Sequence, residues 1–312
     1  MAPVACAVGP LMRLRRWARM GLWGGLALSM LALSGGYLGA LHPLGDSLAV
    51  FRVPFAGGAI VFAFLLRHDV RAALFGLLAS VGMLGMWLGH SGGGQDLTAP
   101  ELTLYQQNLL WRNAGNARLV AAIRDSGADL VTLEEVSDQN LPILQSLQPD
   151  YPVQHVCAFR KVGRVAVLAR GLRATQRLTC AEDLGLAAME VEGPKGRFWV
   201  AALHLPWPWP HEQAAHVERI VAELTALEGP MILAGDFNAV AWSHTVKRIG
   251  AAGGMARVGP YGATFELPPL GYPIGIDHVL APKGLGVIER QPKLASDHHG
   301  LLARLPWPEA QD

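Results

Sequence analysis

Three long apolar runs dominate the first part of the chain. Trp17–Leu41 carries one charge, Arg19; Leu48–Leu66 carries only Arg52; Val70–Gly89 carries only Arg71; each charge sits near an end. A helix needs about 20 apolar residues to cross a bilayer, so this pattern predicts an all-α membrane region over residues 1–90 with about three spans, the competing reading being two spans with the weak middle segment lying differently. A cleaved leader would account for the first run alone. Arg13, Arg15, Arg16 and Arg19 precede the first span, Arg67 and Arg71 flank the loop before the third, and the loop His42–Ser47 has no Lys or Arg. Cationic flanks stay cytoplasmic. The expected N-terminus is therefore cytoplasmic, and three spans deliver the rest to the far side of the membrane, the periplasm in a Gram-negative cell. Residues 91–100, with Gly92, Gly93 and Gly94 and ending at Pro100, read as a flexible linker.

From residue 101 the period changes. Leu102–Asn108 alternates and stops at an amide. Asn116 caps a helix whose stripe is Leu119, Val120 and Ile123, and Asp129–Glu135 is a strand ending in two carboxylates. Val165–Ala169 and Phe198–His204 also read as strands, the second closing on a histidine. His211–Glu228 has helical spacing through Ala214, Val217, Val221, Leu224 and Leu227. Pro230–Asp236 is an apolar run that ends at Gly-Asp, and Gly275–Leu280 is another with an acid inside it. Helices alternate with strands early and strands meander later, which predicts an α/β sandwich over residues 101–306, with sheets inside and helices outside.

Composition narrows the function. The 312 residues are 51% hydrophobic and 16% charged, with three Cys; this excludes a disordered chain and a disulfide-dense mini-domain. Seven of the 26 Lys/Arg and three of the 25 Asp/Glu precede residue 100, leaving 19 cations against 22 acids and a net charge of −3 for the remainder. An acidic domain does not attract polyanions at long range. Cys157 and Cys180 fall in the exported part, where oxidation is permitted; they either pair or stand as buried thiols.

The chemistry collects at strand ends, where sheet enzymes commonly place it. Asn108, Glu135, His204, Asp236 and Asn238 all lie at or just past an expected strand terminus. Taken singly, an Asn there is a turn former and a Glu or His is a solvated side chain. Gly235–Asn238 says more, because two polar side chains emerge abruptly from a buried strand. Ser296–His299 sets an acid beside imidazoles. Other chemistries fail: His211 and His216 are five residues apart and point roughly 140° apart on a helix, unlike a zincin pair. No phosphate-binding Gly-x-x-x-x-Gly-Lys loop and no nucleophile elbow occur in the soluble part.

Residues 102–305 resemble the endonuclease/exonuclease/phosphatase superfamily. The resemblance is carried, in the family's order, by Gln107-Asn108, Leu133-Glu134-Glu135, Leu203-His204-Leu205, Gly235-Asp236-Phe237-Asn238, Ile276-Asp277-His278 and Ser296-Asp297-His298. It implies a deoxyribonuclease-like two-sheet β-sandwich flanked by helices, and hydrolysis of a phosphodiester or phosphomonoester with Mg²⁺ or Mn²⁺, hard cations that take oxygen ligands. Glu135, Asn108 and Asp297 would hold the metal. Asp236 would orient or deprotonate water. Asn238, His204 and His298 would contact the phosphoryl oxygens, and Asp277 would hold the His298 imidazole as a cation. Two departures stand out. Leu110 replaces an acid that some nucleases of the family carry, and Lys161–Arg164 stands where nucleases place a tyrosine; either cation there could touch phosphate or simply be solvated. Pro206–Pro210, alternating Pro and Trp, is either a packed loop or a functional stretch, walling the substrate pocket or contacting lipid headgroups. The expected partners are a phosphate-ester substrate (lipid headgroup, small phosphate or nucleic acid) and the bilayer. The alternatives are an extracytoplasmic nuclease, or a non-catalytic membrane-anchored binding protein on the same fold.

Overall fold

A computed structural model describes residues 10–91, 101–113, 116–159, 163–181 and 183–309. The linker beyond Ser91 and the candidate Lys161 lie outside them. The chain divides into two compact units, at residues 1–89 and 90–312.

The first unit is all-helical: α1 (Pro10–Gly35), α2 (Leu44–Ala49), α3 (Arg52–Leu65) and α4 (Val70–Ser91). The second apolar run departs from the expected single helix, because it is split between α2 and α3. Pro54 explains the break. Its ring and missing N–H are tolerated only in the first turn of a helix, so a new helix starts at Arg52. The 14 residues of α3 extend about 21 Å, short of the roughly 30 Å hydrocarbon core. Arg52 is buried, its Nε donating to the Gly36 carbonyl at 3.0 Å and its guanidinium 3.8 Å from the Tyr37 ring. Among the described residues one helical stretch, Val70–Gly89, is long and apolar enough to cross a membrane, with mean hydropathy 1.8.

The second unit runs β1 (Glu101–Asn108), α5 (Asn116–Ser126), β2 (Leu130–Glu134), α6 (Leu141–Leu147), β3 (Val153–Phe159), β4 (Gly163–Ala169), β5 (Arg173–Ala181), β6 (Leu186–Gly193), β7 (Gly196–His204), α7 (Gln213–Ala226) and β8 (Met231–Asp236). It continues with α8 (His244–Ala252), β9 (Met255–Arg257), β10 (Phe265–Leu267), β11 (Tyr272–Ile274), β12 (Asp277–Pro282), β13 (Val287–Arg290) and β14 (Leu301–Pro306). Two six-stranded sheets form, ordered β13-β14-β1-β2-β4-β3 and β5-β6-β7-β8-β12-β9, and β10 with β11 makes a separate hairpin. Leu102, Leu104, Val165 and Leu305 of the first sheet face Met189, Val200, Ile232 and Val279 of the second in one dry core. The outer faces are covered by α5 and α6 on one side and by α7 and α8 on the other. Sheets buried on both faces explain why Met231–Asp236 reads as an unbroken apolar run. Burial of one apolar side chain contributes about 1.5–3 kcal/mol, which is why the four layers hold together.

Cys157 and Cys180 form a disulfide between β3 and β5, with Cα atoms 5.4 Å apart. These strands are the edges of opposite sheets, so the bridge staples the sandwich along one open side and settles the earlier alternative.

Candidate active site

Each sheet contains one parallel β-α-β unit, β1-α5-β2 and β7-α7-β8, and the two point their carboxyl ends at the same place. Register does the rest. Asn108 stands beside Glu134 in the first sheet. His204, Asp236 and Asp277 stand abreast on three neighbouring strands of the second. His298 arrives on the loop before β14, where Ser296 Oγ donates to the Asn108 carbonyl at 2.7 Å and accepts from the His298 N–H at 3.0 Å.

The chain leaves β1, β2 and β8 under local strain. Glu135, Leu110 and Asn238 hold φ of +55°, +60° and +46°, each costing about 1–3 kcal/mol outside glycine. Gly235, at φ +154°, admits no side chain: a Cβ there would lie 1.9 Å from the Leu203 carbonyl oxygen. That glycine lets β7 and β8 approach closely and delivers Asp236 into the site.

An open cleft of about 1080 Å³ results. Glu135, His204, Asp236, Asn238, Asp297 and His298 line it, with Trp207, Phe265 and Phe159 among its apolar walls. Asn108 and Asp277 stand directly behind. All eight residues singled out from the sequence therefore converge. The Asn108 amide nitrogen donates to Asp236 Oδ2 at 3.0 Å and lies 3.4 Å from Glu135 Oε1, while its oxygen accepts from the Leu110 N–H. In this orientation Asn108 presents a donor, not an oxygen ligand, to the carboxylates. Glu135 Oε2 accepts from the Trp111 N–H at 2.7 Å. The Asn238 amide nitrogen, expected to reach phosphoryl oxygens, is engaged by the Leu205 carbonyl at 2.8 Å; its backbone N–H holds Asp236 Oδ1, also at 2.8 Å.

Charge in the site is divided unequally. Burial alone would lower the His298 imidazole, but the carboxylates of Asp277, bonded at 2.9 Å, and of Asp236, 3.8 Å away, outweigh it and push the group up to about 10. Burial would raise Asp277, yet the His298 cation and its hydrogen bond hold it below the ordinary range. Burial raises Asp236 to about 7, and burial lowers His204 to about 3, with the His298 charge adding to the effect. Glu135 is raised by burial, with Asp297 adding to it.

Three features lie outside these eight residues. Phe265 packs at a tilt against the His298 ring, centroids 4.7 Å apart, and against Trp207 at 5.8 Å; its own segment carries no chemical signature. Pro206, Trp207 and Pro210 line the cleft, so this stretch is a wall of the pocket. Gln106 and Glu134, both fully buried, sit behind Asp277. Gln106 was detectable as a polar residue on the inward face shared by Leu102 and Leu104. Arg164, by contrast, bonds Asp138 at 2.9 Å near the surface and does not line the cleft. Leu110 supplies no acid.

Fold and site together define a two-sheet, deoxyribonuclease-like α/β scaffold with a polar cleft at the strand ends. Residues 105–298 match the model of the Endonuclease/Exonuclease/phosphatase family, and the chain belongs to that family, whose members are phosphoesterase hydrolases. Solved structures share the fold. A sphingomyelinase C from Streptomyces griseocarneus is 18% identical, with 67% of this chain and 100% of that one covered at a TM-score of 0.50. A mutant beta toxin from Staphylococcus aureus with bound magnesium ions is 14% identical, with 66% and 100% covered at 0.52. A truncated Caenorhabditis elegans TDP2 is 15% identical, with 68% and 99% covered at 0.51. Among curated proteins none matches this chain by sequence.

Proposed function

We propose that this protein is a membrane-anchored, divalent-metal-dependent phosphoesterase that cleaves a phosphodiester or phosphomonoester by direct attack of water. The observation that carries the reading is the convergence of Glu135, Asp236, His204 and His298 on one cleft, with the Asp277–His298 pair behind it holding a buried cation.

The donor set fits Mg²⁺ or Mn²⁺. Glu135 and Asp297 offer hard oxygens to the cleft; burial, with the Asp297 charge adding to it, disfavours the ionised Glu135, and a divalent cation would offset that cost. Glu135 and Asp297 would hold the ion, with Asn108 beside them. When bound, such an ion supplies charge neutralisation at the phosphoryl oxygens. The remaining work falls to the protein. Asp236, fixed by the Asn238 N–H and by Asn108, orients the attacking water and takes its proton. His298, kept cationic, stabilises the charge that builds on the phosphoryl group. His204 stays neutral and contacts the same oxygens. The attack is in line and leaves no covalent enzyme intermediate.

Placement of the domain outside the cytoplasm is supported by the Cys157–Cys180 bridge, since such bonds persist in oxidising compartments. Anchoring is supported by Val70–Gly89. With a bilayer at hand, a net acidic domain and an aromatic cleft wall, small phosphates and lipid headgroups are favoured over nucleic acid. The test is a panel of sphingomyelin, inositol phosphates, nucleotides, DNA and RNA, offered to the full chain with Mg²⁺ and with a chelator. Glu135→Ala and Asp236→Ala should each abolish metal-dependent hydrolysis while leaving the protein folded; retained activity in either removes the assignment. A reporter fused at the C-terminus should read extracytoplasmic.

A further inference from the structure

We propose that Gln106 is a positioning residue that aims the Asp277 carboxylate at His298 from across the sandwich; this rests on the function proposed above. Gln106 occupies the inward face of β1, in line with Leu102 and Leu104, where the core between the sheets is otherwise apolar. Its Nε2 donates to Glu134 Oε2 on β2 at 2.8 Å and to Asp277 Oδ1 on β12 at 3.1 Å. One amide thus ties the first sheet to the second directly behind the cleft.

The cluster is poorly suited to stabilising the core. Gln106, Thr132 and Glu134 are fully buried. Gln106 Oε1, Thr132 Oγ1 and Glu134 Oε1 find no partner among the described residues. Buried polar atoms in that condition destabilise relative to apolar side chains of the same shape, and such local costs concentrate at functional sites. What the cluster supplies is direction. Gln106 occupies Oδ1 of Asp277, and the Thr264 hydroxyl also bonds this carboxylate. Oδ2 is then the oxygen presented to His298 Nδ1, at 2.9 Å. Without Gln106 the carboxylate keeps only the Thr264 hydroxyl beside its bond to His298, so its orientation loosens and the imidazole loses part of its aim, although every residue facing the cleft is still in place.

The variant is Gln106→Met, which keeps length and burial but donates no hydrogen bond. Its kcat should fall roughly 10- to 100-fold with KM unchanged, as for partners that orient a ligating or catalytic group. In an Asp277→Asn background the same change should add little, because both act through one carboxylate; equal and additive losses in the two backgrounds would overturn the proposal. A second readout needs no turnover. The His298 Nδ1–H proton, identified in the NMR spectrum by its absence in His298→Gln, should move upfield and broaden in Gln106→Met. Gln106→Asn, one methylene shorter, should do the same and serves if the Met variant does not fold. An unchanged resonance in a folded Gln106 variant overturns the proposal. If the wild-type protein hydrolyses no phosphate ester, the proposed function fails, while this resonance still decides the role of Gln106.

Discussion

Replacing Asp277 by Asn isolates the charge on His298 from its orientation. The Asn carbonyl can still accept from His298 Nδ1, so the imidazole keeps its aim and loses its counter-ion. At 2.9 Å and an effective dielectric of about 20, a unit charge pair is worth about 6 kcal/mol. That is about four powers of ten in the affinity of the imidazole for its second proton. In the wild type His298 is held at about 10 and is cationic across the neutral range. In the variant only the more distant Asp236 and Asp297 still oppose burial, and the cation is lost as pH rises from 6 to 8. The expected result is a kcat/KM about 100-fold below wild type at pH 8 and only a few-fold below at pH 6. The assay is hydrolysis of a generic phosphodiester between pH 5 and 9, with the His298 ring carbons followed by NMR over the same range. A loss of equal size at every pH, or ring shifts that match wild type, would refute the claim that Asp277 works by keeping His298 charged.

Other outcomes follow from the same structure. His204 is neutral in the fold, at about 3 against an ordinary 6.5; its contribution to stability is complete above 6.5 and drains away as pH falls toward 3. Acid should therefore cost the wild type up to about 5 kcal/mol through this group, and His204→Gln should flatten that part of a pH series of denaturation curves. Gly235→Ala should destabilise by about 3 kcal/mol or more, because the new Cβ collides with the Leu203 carbonyl; a melting temperature equal to wild type would contradict this. Cys157 and Cys180 enclose a loop of separation 23, so removing both should lower stability by about 3 kcal/mol. A denaturation midpoint that does not move would show that the sheet edges hold without the bridge.

Chemical identity was legible in the sequence wherever a polar residue interrupts an apolar strand. Asp236 and Asn238 after Met231–Gly235, and His204 after Phe198–Leu203, announce themselves because nothing in a buried strand calls for them. Glu135 is different: its strand ends at Glu134, and a left-handed turn at Glu135 itself swings the side chain into the cleft. No local pattern encodes that turn in a glutamate. The middle apolar run shows the opposite failure. Its hydropathy suits a span, but Pro54 divides it into α2 and α3, and hydropathy alone does not register where a helix must restart.

The division into an apolar helical part and an α/β part, the strand ends that carry acids, amides and imidazoles, and the family can all be read from the order of residues. These are local quantities: periodicity, composition and short motifs. Which groups meet is set by the folded arrangement of the two sheets. Asn108 and Asp236 lie 128 positions apart and share a 3.0 Å hydrogen bond, and Gln106 reaches Asp277 over 171 positions. Such contacts depend on strand register and on the packing of one sheet over the other, and a hydrogen bond between sheets leaves no periodic trace in either strand. Proton affinities belong to the same category. Asp236, Asp277 and the histidines are ordinary side chains until burial removes water and sets their charges against one another.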